Sequence, residues 1–345
     1  MPDYIMNLQL FADAGNVVNT TTGTANAYTG VTETGTISPS MKTYYDTELL
    51  ENAKHNLVFT QLGKKQPLPR NHGKTVEWRK FNTFEKALTP LVEGVIPTGK
   101  KFGMTAINVS VQQFGDYVTI SDQLEMHAVD PHILGATEEM SSAAGWTLDT
   151  LVRNVLVAGT NVMYAPNGSN AVTSRANLTA ACKLTPDVVH KAVTWLKKTN
   201  APKFDGRWYV AVIHPSVAYD LTSSDAWIEA HKYAATTELF DGEIGQLWGC
   251  RFIESNEAPV YSNGASSSPV MVYGTLFFGK DAFGVVDPEG MGMEMIIKSR
   301  AEVGGPLEQF STVGWKAENA TKILYQERML RVESGSTYSA TDSAN

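Results

Sequence analysis

The chain has 345 residues, of which 43% are hydrophobic and 19% charged, and its formal net charge at pH 7 is −8. This length allows two domains or one elaborated domain with a sizeable core. The charged fraction is below the usual value of about 25%, which favours large contact surfaces over a solvated helical protein. The acidic balance argues against a nucleic-acid-binding surface, because neutralising phosphates requires clustered Lys and Arg. It does not exclude a protein that encloses nucleic acid.

The cysteine count and the hydropathy pattern limit the compartment in which the chain is expected to fold. The chain has two cysteines, Cys182 and Cys250, so a disulfide framework is not expected and folding inside a cell is the default. No run approaches the roughly 20 apolar residues that span a bilayer. The first residues lack the basic and apolar regions of a signal peptide, and Met6 is an alternative start. We therefore expect no membrane partner.

The first 66 residues predict a tail followed by an arm. Residues 14–40 are rich in Gly, Thr and Asn and have too few apolar side chains to offset the entropy of ordering. Residues 41–62 then predict an amphipathic helix, because apolar residues recur at helical spacing. This helix either reaches across to a partner or packs on its own core, and the sequence leaves both open. The apolar positions are Tyr45, Leu49, Leu50, Ala53 and Leu57.

Residues 73–121 predict a long antiparallel hairpin. Its strands are KTVEWRKFNTF (74–84) and MTAINVSVQQFGDYVTIS (104–121), in which apolar and polar residues alternate. Between them lies LVEGVIPTGKK (91–101), which is rich in turn-forming residues. A hairpin of this length is not stable alone in water. We expect it to lie on its own core or on a neighbouring subunit.

Residues 131–158 predict one unusually long helix. Asp130 is a suitable N-cap, Pro131 suits the first helical position, and Gly159 suits the C-cap. The helix would be roughly 40 Å long at about 1.5 Å per residue. An apolar stripe at three- and four-residue spacing indicates that one face is buried. This stripe comprises Met140, Ala144, Leu148, Leu151 and Val155.

Helix and strand patterns alternate after residue 183 and predict a compact α/β subdomain. Thr185 and Pro215 mark helix starts, RWYVAVIH (207–214) predicts a buried strand, and further strands follow up to Val286. Strand patterns return after residue 292. Residues 317–332 carry apolar residues at both helical and strand spacing, so the sequence does not decide between a helix and strands there. The end, SGSTYSATDSAN, predicts a tail without structure. The whole pattern indicates an α+β fold.

Sequence motifs give little support for catalysis. GxxxxGK[ST], HExxH, GxSxG and CxxC are absent, and no GxGxxG follows a strand. One acidic and His-rich group precedes the long helix, but its two histidines are five residues apart, which is the wrong spacing for one helix face. Loop and cap roles are the simpler interpretation of this group. Its members are Asp122, Glu125, His127, Asp130 and His132.

Three weaker chemical candidates remain. Cys182 with His190 or His214 has the residue types of a nucleophile and its base, but nothing positions a third group, and a Cys is more often a small buried hydrophobe. The basic pairs at 64–65 and 100–101 are better explained as solvated turn charges than as nucleic-acid contacts. A carboxylate pair could be drawn from three acidic residues without a shared cleft, namely Asp241, Glu243 and Glu254.

The order of segments resembles the major capsid proteins of tailed bacteriophages, which have the Hong-Kong-phage fold. Particular stretches are similar to the branch related to the enterobacterial N-four phage, and together they cover most of the chain from residue 6 to about 333. Their order and spacing carry the resemblance more than any one stretch does. They are MNLQLFA (6–12), TYYDTELLENAK (43–54), PLVEGVIPTGKK (90–101), WYVAVIHPSVAYDL (208–221), GCRFIESNEAPV (249–260) and TVGWKAENATKIL (312–324).

This resemblance implies a domain organisation. The long helix would be the spine helix of a P-domain, and the hairpin would be the extended loop called the E-loop. The implied ranges are a flexible tail (1–40), an N-arm helix (41–66), the E-loop (67–124), the P-domain with its spine helix at 131–158 (125–183), the A-domain (184–288), the P-domain return (289–336) and a flexible C-terminal tail (337–345).

The resemblance also implies a structural, non-enzymatic virion protein without cofactor or metal. Such a subunit would assemble in the bacterial host cytoplasm into hexamers and pentamers of an icosahedral head around double-stranded DNA, without sequence-specific DNA binding. Scaffolding, portal and decoration proteins would be its partners. The residues expected at contacts between subunits are Tyr45, Leu49, Leu91, Glu93, Val95, Ile96, Lys100 and Lys101.

Two alternatives stay open. A cargo-compartment shell protein of the encapsulin kind would have the same fold, and its cargo would be an enzyme instead of DNA. A soluble hydrolase that uses Cys182, or His127 and His132, is the alternative from a different class, although no motif supports it.

Overall fold

The computed structural model describes residues 16–19, 26–28, 58–96, 98–127, 132–232, 243–263, 270–288, 292–303, 307–338 and 342–345. The helix predicted over residues 41–57 lies outside these ranges, with Tyr45 and Leu49. The helices are α1 (Val58–Leu62), α2 (Asp122–His127), α3 (His132–Val157), α4 (Pro186–Lys198), α5 (Pro215–Thr222), α6 (Asp225–Lys232) and α7 (Arg300–Val303).

The strands of the described chain form four sheets. None of the helices given above is long and apolar enough to cross a membrane. The strands are β1 (Asn16–Asn19), β2 (Asn26–Tyr28), β3 (Lys64–Leu68), β4 (Thr75–Phe81), β5 (Met104–Ser110), β6 (Gln112–Ser121), β7 (Val162–Tyr164), β8 (Tyr209–Ile213), β9 (Glu243–Leu247), β10 (Cys250–Glu254), β11 (Val260–Ser262), β12 (Met271–Phe278), β13 (Phe283–Pro288), β14 (Met293–Lys298), β15 (Phe310–Asn319), β16 (Thr321–Ile323) and β17 (Met329–Ser334).

Helix α3 is the spine of the fold. Its 26 residues span about 39 Å. Its first half packs on a five-stranded sheet of order β14-β15-β6-β1-β2, where Ala144 and Leu148 meet Ile120. The observed bounds agree with the predicted helix, residues 131–158, to within one residue at each end. The predicted cap, Asp130, lies outside the described residues.

Two short strands lie within the segment predicted to be a flexible tail, residues 1–40. Strand β1 runs parallel to β6, with Val18 beside Thr119, and β2 pairs antiparallel with β1. For these strands the prediction is wrong, because the edge of β6 offers backbone hydrogen bonds that composition alone does not reveal. The other residues of the segment lie outside the described chain.

A seven-stranded sheet and three helices form a second layer, which we call the α/β unit. The strand order is β7-β17-β12-β8-β10-β9, with β11 beside β12. Helices α4, α5 and α6 cover one face, and the last turns of α3, with Val152 and Leu156, pack on the other face through Leu276. Strands β7 and β17 come from outside the range 184–288 that was predicted for this unit.

The predicted hairpin is shorter than expected. Strands β4 and β5 pair along their whole length, from Thr75 beside Ser110 to Phe81 beside Met104. The second predicted strand is divided at Val111, and its continuation, β6, pairs with β15. The division has a physical reason, because Ile120 on β6 buries its side chain against the spine helix.

Residues 317–332, which the sequence left open, form strands. They complete β15 and supply β16 and most of β17, separated by a short 3-10 helix at Gln326–Arg328. Leu330 and Val332 are buried in the cluster beneath α4 and α5, and Met329 is buried in the cluster that contains Leu156 of α3. The tail predicted to be flexible, 337–345, is also ordered at 337–338 and 342–345, where it contacts the α/β unit. That prediction is wrong for these residues.

Candidate assembly surface

An unusually apolar exposed segment joins β4 to β5. Leu88, Leu91 and Ile96 are 84%, 79% and 94% exposed, and they lie within a few residues of each other. Monomeric soluble proteins rarely expose contiguous apolar patches larger than a few hundred Å². We call residues 82–103 the hairpin loop. Its composition is that of a surface that another molecule covers.

The root of the hairpin is firmly attached to the rest of the chain. Trp78 on β4 is 8% exposed and packs with Val286 and Leu324. Opposite it lies Gly284 on β13, where an added Cβ would be 2.8 Å from the indole carbon Cζ2. The absence of a side chain at Gly284 therefore lets the indole lie directly against the three-stranded sheet, whose strand order is β16-β13-β3.

The hairpin loop is held together by its own contacts. Phe102 stacks between Phe81 and Phe84, with ring centroids 4.7 and 5.6 Å apart. The Asn82 amide donates to the Gly103 carbonyl at 2.9 Å, which joins the two sides of the loop. These contacts shape the loop without burying its apolar side chains, so less entropy remains to be lost when a partner binds.

A tight turn forms the tip of the loop. The Val95 amide donates to the Val92 carbonyl at 3.2 Å. Gly94 has a φ of +79°, as the third residue of a type II turn requires. The turn places Glu93 at the end of the loop with apolar residues on either side of it. The tip therefore presents one negative charge among apolar side chains.

The structure places six of the eight predicted contact residues in this loop. All six are exposed: four lie at or beside the tip, and the two lysines lie on the returning side. Lys100 donates through Nζ to the Glu85 carbonyl at 2.6 Å, so it also bridges the loop. The other two predicted residues lie outside the described chain. The six are Leu91, Glu93, Val95, Ile96, Lys100 and Lys101.

The predicted contact residues did not include further exposed apolar residues in the loop and at the ends of β4 and β5 beside it. Their signal was present, because the segment is rich in aromatic and aliphatic residues yet follows neither a helix nor a strand period. Turn-forming residues such as Pro90 and Gly99 led us to interpret the segment only as a turn. The missed residues, all more than half exposed, are Phe81, Phe84, Leu88, Val92, Phe102 and Met104.

A shallow groove of about 480 Å³ lies on the sheet face that points away from α3. Gly115 and Gly314 form its floor, and side chains there would clash, because an added Cβ would be 2.6 Å from the Trp315 carbonyl oxygen and 2.8 Å from the Tyr117 Cβ respectively. Tyr117 is half exposed beside the two glycines. Lys298, Lys316 and Asp116 also line the groove, so its rim carries two positive charges and one negative charge.

The described acidic residues of the group before α3 have structural partners. Glu125 on α2 forms an ion pair with Arg300 at 3.4 Å, and Asp122 accepts from the Gln123 amide. In the parts of the chain that the structure describes, no three His, Cys, Asp or Glu side chains form a group able to hold a metal. Asp130 lies outside those parts, and the side chain of His132 is not described.

Cys182 and the two candidate histidines have separate structural roles. Cys182 is buried with Leu178 and Val272 in a small apolar cluster. His190 stacks on Trp248 with ring centroids 4.3 Å apart. His214 caps α5, because its Nδ1 accepts from the Ser216 amide at 3.2 Å, and burial lowers the pKa of its imidazole. Each histidine therefore has a packing or capping role.

The second cysteine is buried, and the carboxylate candidates are described only in part. Burial raises the pKa of the Cys250 thiol far above its ordinary value, which removes the thiolate needed for attack. Glu254 is exposed at the end of β10. Asp241 lies outside the described residues, and only the backbone of Glu243 is described.

One buried carboxyl joins three parts of the fold. Asp149 on α3 accepts from the Phe59 amide of α1 at 2.8 Å, and burial raises the pKa of Asp149 to about 7. One turn later, Arg153 forms an ion pair at 3.2 Å with Glu257, which follows β10. The spine helix therefore fixes the start of α1 and the α/β unit through neighbouring side chains.

A family model for phage capsid protein matches residues 103–327, which is more than half of the chain. The matched segment runs from β5 through the spine helix and the α/β unit to the 3-10 helix before β17. Among curated protein sequences, none matches.

Solved structures share the fold at low sequence identity. The capsid of cyanophage Pam1 is 15% identical, with a TM-score of 0.63 and coverage of 81% of this chain and 89% of that chain. The capsid of Ralstonia phage GP4 is 14% identical, with a TM-score of 0.61 and coverage of 79% and 87%. The SrpI encapsulin of Synechococcus elongatus PCC 7942 is 12% identical, with a TM-score of 0.53 and coverage of 93% and 96%.

The structural matches are consistent with the mixed architecture of spine helix, hairpin and α/β unit, and the family model covers most of it. The resemblance to tailed-phage major capsid proteins is thereby confirmed, whereas the N-four branch stays a prediction. The chain belongs to the phage capsid protein family, and it is a structural major capsid protein of the virion with the Hong-Kong-phage fold.

Proposed function

We propose that this subunit assembles into hexamers and pentamers of a closed icosahedral head, and that the hairpin loop is its main contact with the next subunit. The single observation that carries the proposal is the exposed apolar loop on a firmly attached root. A loop that is shaped by its own contacts, and whose apolar residues stay in water, gains stability when a neighbour covers it. In a closed shell, many such interfaces act together.

The groove on the five-stranded sheet is suited to receive the loop of a neighbour. Its glycine floor admits an apolar tip, and its lysines can meet the one acidic residue of the turn, Glu93. Lys316 is 3.3 Å from Glu294 on the same sheet, whereas Lys298 is exposed at the end of β14. We therefore assign Lys298 as the first partner of Glu93.

The remaining assignments follow from the same proposal. Helix α3 with the five-stranded sheet forms the P-domain, the α/β unit forms the A-domain, and residues 41–66 form the N-arm. The shell encloses double-stranded DNA. Sequence-specific contacts are not expected, because the net negative charge of the subunit repels phosphate. Scaffolding, portal and decoration proteins are its partners, and assembly takes place in the cytoplasm of the bacterial host.

Deletion of residues 88–102 tests the role of the loop. This removes most of the exposed apolar residues and keeps the β4–β5 root with Trp78. We expect a folded protein, with unchanged circular dichroism, that no longer forms shells or capsomers in negative-stain microscopy. Particles like those of the full chain would overturn the proposal.

A disulfide experiment tests the receiving face. Chains carrying Val95→Cys and chains carrying Tyr117→Cys are mixed and oxidised. We expect the mixture, under assembly conditions, to give a crosslinked dimer of the two variants, as judged by mass spectrometry. Val95→Cys mixed with Trp146→Cys, an exposed position on the spine helix, serves as the control and should not crosslink.

A cargo compartment is the second candidate function, because the SrpI encapsulin covers 93% of this chain. Purified particles distinguish the two functions by their content. Packaged double-stranded DNA supports a phage head, whereas a stoichiometric enzyme without DNA supports a cargo compartment.

A further inference from the structure

The end of the chain docks on the α/β unit. We call residues 335–338 and 342–345 the C-terminal strap. The strap carries Ser, Thr, Asp and Asn side chains and little apolar surface, so it has no core of its own. It begins beside β17, where the Gly335 amide donates to the Cys182 carbonyl at 2.8 Å.

The first anchor is a carboxylate of the α/β unit. Asp220 lies on α5, and its side chain is 2% exposed. It accepts from the Thr337 amide at 2.9 Å and from the Thr337 hydroxyl at 2.5 Å, and it shares the Ser336 hydroxyl proton, at 2.9 Å, with the Ser216 carbonyl at 2.7 Å. Lys183 approaches it at 3.1 Å. Three of these four donors belong to the strap. The strap therefore supplies most of the hydrogen bonds that replace the water lost by Asp220 on burial.

In the second anchor the strap provides the acceptor and the α/β unit provides the donors. Asp342 of the strap accepts from the Ser216 hydroxyl at 2.8 Å and from the Tyr273 hydroxyl at 2.6 Å. Ser216 lies at the start of α5, and Tyr273 lies on β12; both are buried. The strap therefore ties the start of α5 to the central sheet.

The third anchor lies at the edge of β11. The Asn345 amide donates to the Val260 carbonyl at 3.2 Å, and the Val260 amide donates to the Asn345 side chain at 2.9 Å. Val260 also pairs with Tyr273 of β12 on its other side. The strap thus covers a strand edge that would otherwise present unpaired backbone groups.

We propose that the α/β unit contains a peptide-docking site, and that the C-terminal strap occupies this site as a detachable latch. The anchors recognise an extended segment with hydroxyl groups near one end and a carboxylate further along. The aromatic contact of the strap, between Tyr338 and Tyr219, has both rings more than half exposed, so hydrogen bonds carry most of the attachment. When the strap leaves, Asp220, Ser216 and Tyr273 lose partners together, and the junction of α5 with the sheet loosens. This inference does not depend on shell assembly.

Hydrogen exchange in the full chain tests the latch. Asp342→Ala removes the oxygen that accepts from Ser216 and Tyr273 and leaves the core of the α/β unit intact. We expect the exchange rates of the Thr337 and Asn345 amides to rise at least tenfold, and those of α5 to rise with them. Asp225→Ala, the same change at an exposed position of α6, should leave all of these rates unaltered. Unchanged exchange in Asp342→Ala would overturn the latch.

A second variant and a peptide complete the test. Asp220→Asn should release the strap from the other side, and if that variant fails to fold by circular dichroism, Asp342→Ala decides alone. A synthetic peptide of residues 336–345, added to the Asp342→Ala chain, should return the exchange of α5 toward its original rate. The same peptide carrying Asp342→Ala should not, because it lacks the acceptor for Ser216 and Tyr273. Equal effects of the two peptides, or none from either, would contradict a docking site for this segment.

Discussion

Trp78 lies against Gly284 so closely that a Cβ at Gly284 would be 2.8 Å from the indole. This contact joins the hairpin to the three-stranded sheet and sets the position from which the loop extends. Gly284→Ala should therefore destabilise the protein by about 1–3 kcal/mol, because the indole must shift in a packed site. Chemical denaturation measures this change.

The matched control for that substitution is Gly135→Ala. Gly135 lies on the exposed face of α3, and nothing lies within 4 Å of an added Cβ. There the change should stabilise the helix by up to about 1 kcal/mol, because Ala has the higher helix propensity. A loss of stability at Gly135 as large as that at Gly284 would refute the steric explanation.

Asp149 should make stability depend on pH. Burial raises its pKa to about 7 in the folded chain, from an ordinary value of 3.8. The folded state therefore binds the proton more tightly, and the contribution of this group to stability is lost as the pH rises toward and through 7. Between pH 5 and pH 8 the loss is about 3 kcal/mol at 1.36 kcal/mol per pKa unit.

Asp149→Asn keeps an acceptor for the Phe59 amide but removes the titration. Urea denaturation gives the free energy of unfolding of both chains. The difference, variant minus original, should increase by about 3 kcal/mol from pH 5 to pH 8. Parallel stability curves for the two chains over that range would show that the carboxyl does not titrate there.

Glu333 should be a strong contributor to the stability of the α/β unit. It is fully buried on β17 and forms ion pairs with Arg175 at 2.6 Å and Arg331 at 2.9 Å. Glu333→Gln leaves arginine charges without their partner and should cost roughly 3 kcal/mol. Glu294→Gln, which breaks an exposed pair with Lys316, should cost less than about 1 kcal/mol. Similar costs for the two variants, by thermal denaturation, would be inconsistent with this assignment.

Charge reversal tests the proposed contact between the loop and the groove. Glu93→Lys and Lys298→Glu should each lower the yield of assembled particles, because like charges then face each other. The double variant should restore assembly, since the pair is reversed. Glu85→Lys, at the base of the loop, is the control and should assemble normally. If the double variant is no better than the single variants, Glu93 has a different partner. Light scattering during assembly gives the yields.

Local sequence patterns predicted the elements whose order depends on nearby residues. The spine helix follows from a helical stripe that includes Ala144 and Leu148, and the β4–β5 hairpin follows from strict alternation around Trp78. The division of the second hairpin strand was missed because Val111 continues that alternation. Only the pairing of β6 with β15, about 200 residues apart in the chain, reveals it.

The strap and the loop show a second limit of sequence reasoning. Ser336 bonds to Asp220 across a sequence separation of 116 residues, and no composition rule predicts such a contact for a Ser- and Thr-rich tail. In the loop, Phe84 and Leu88 resemble core residues in type, so their exposure is visible only when the fold leaves them uncovered. The apolar contact surface was therefore predicted at its tip but not over its full extent.

The most direct test of the shell proposal is electron microscopy of the purified chain beside the variant lacking residues 88–102, at equal concentration. We expect closed shells or capsomers from the full chain and folded, unassembled subunits from the variant. Shells of the same size and number from both, or a full chain that stays monomeric while folded, would contradict it.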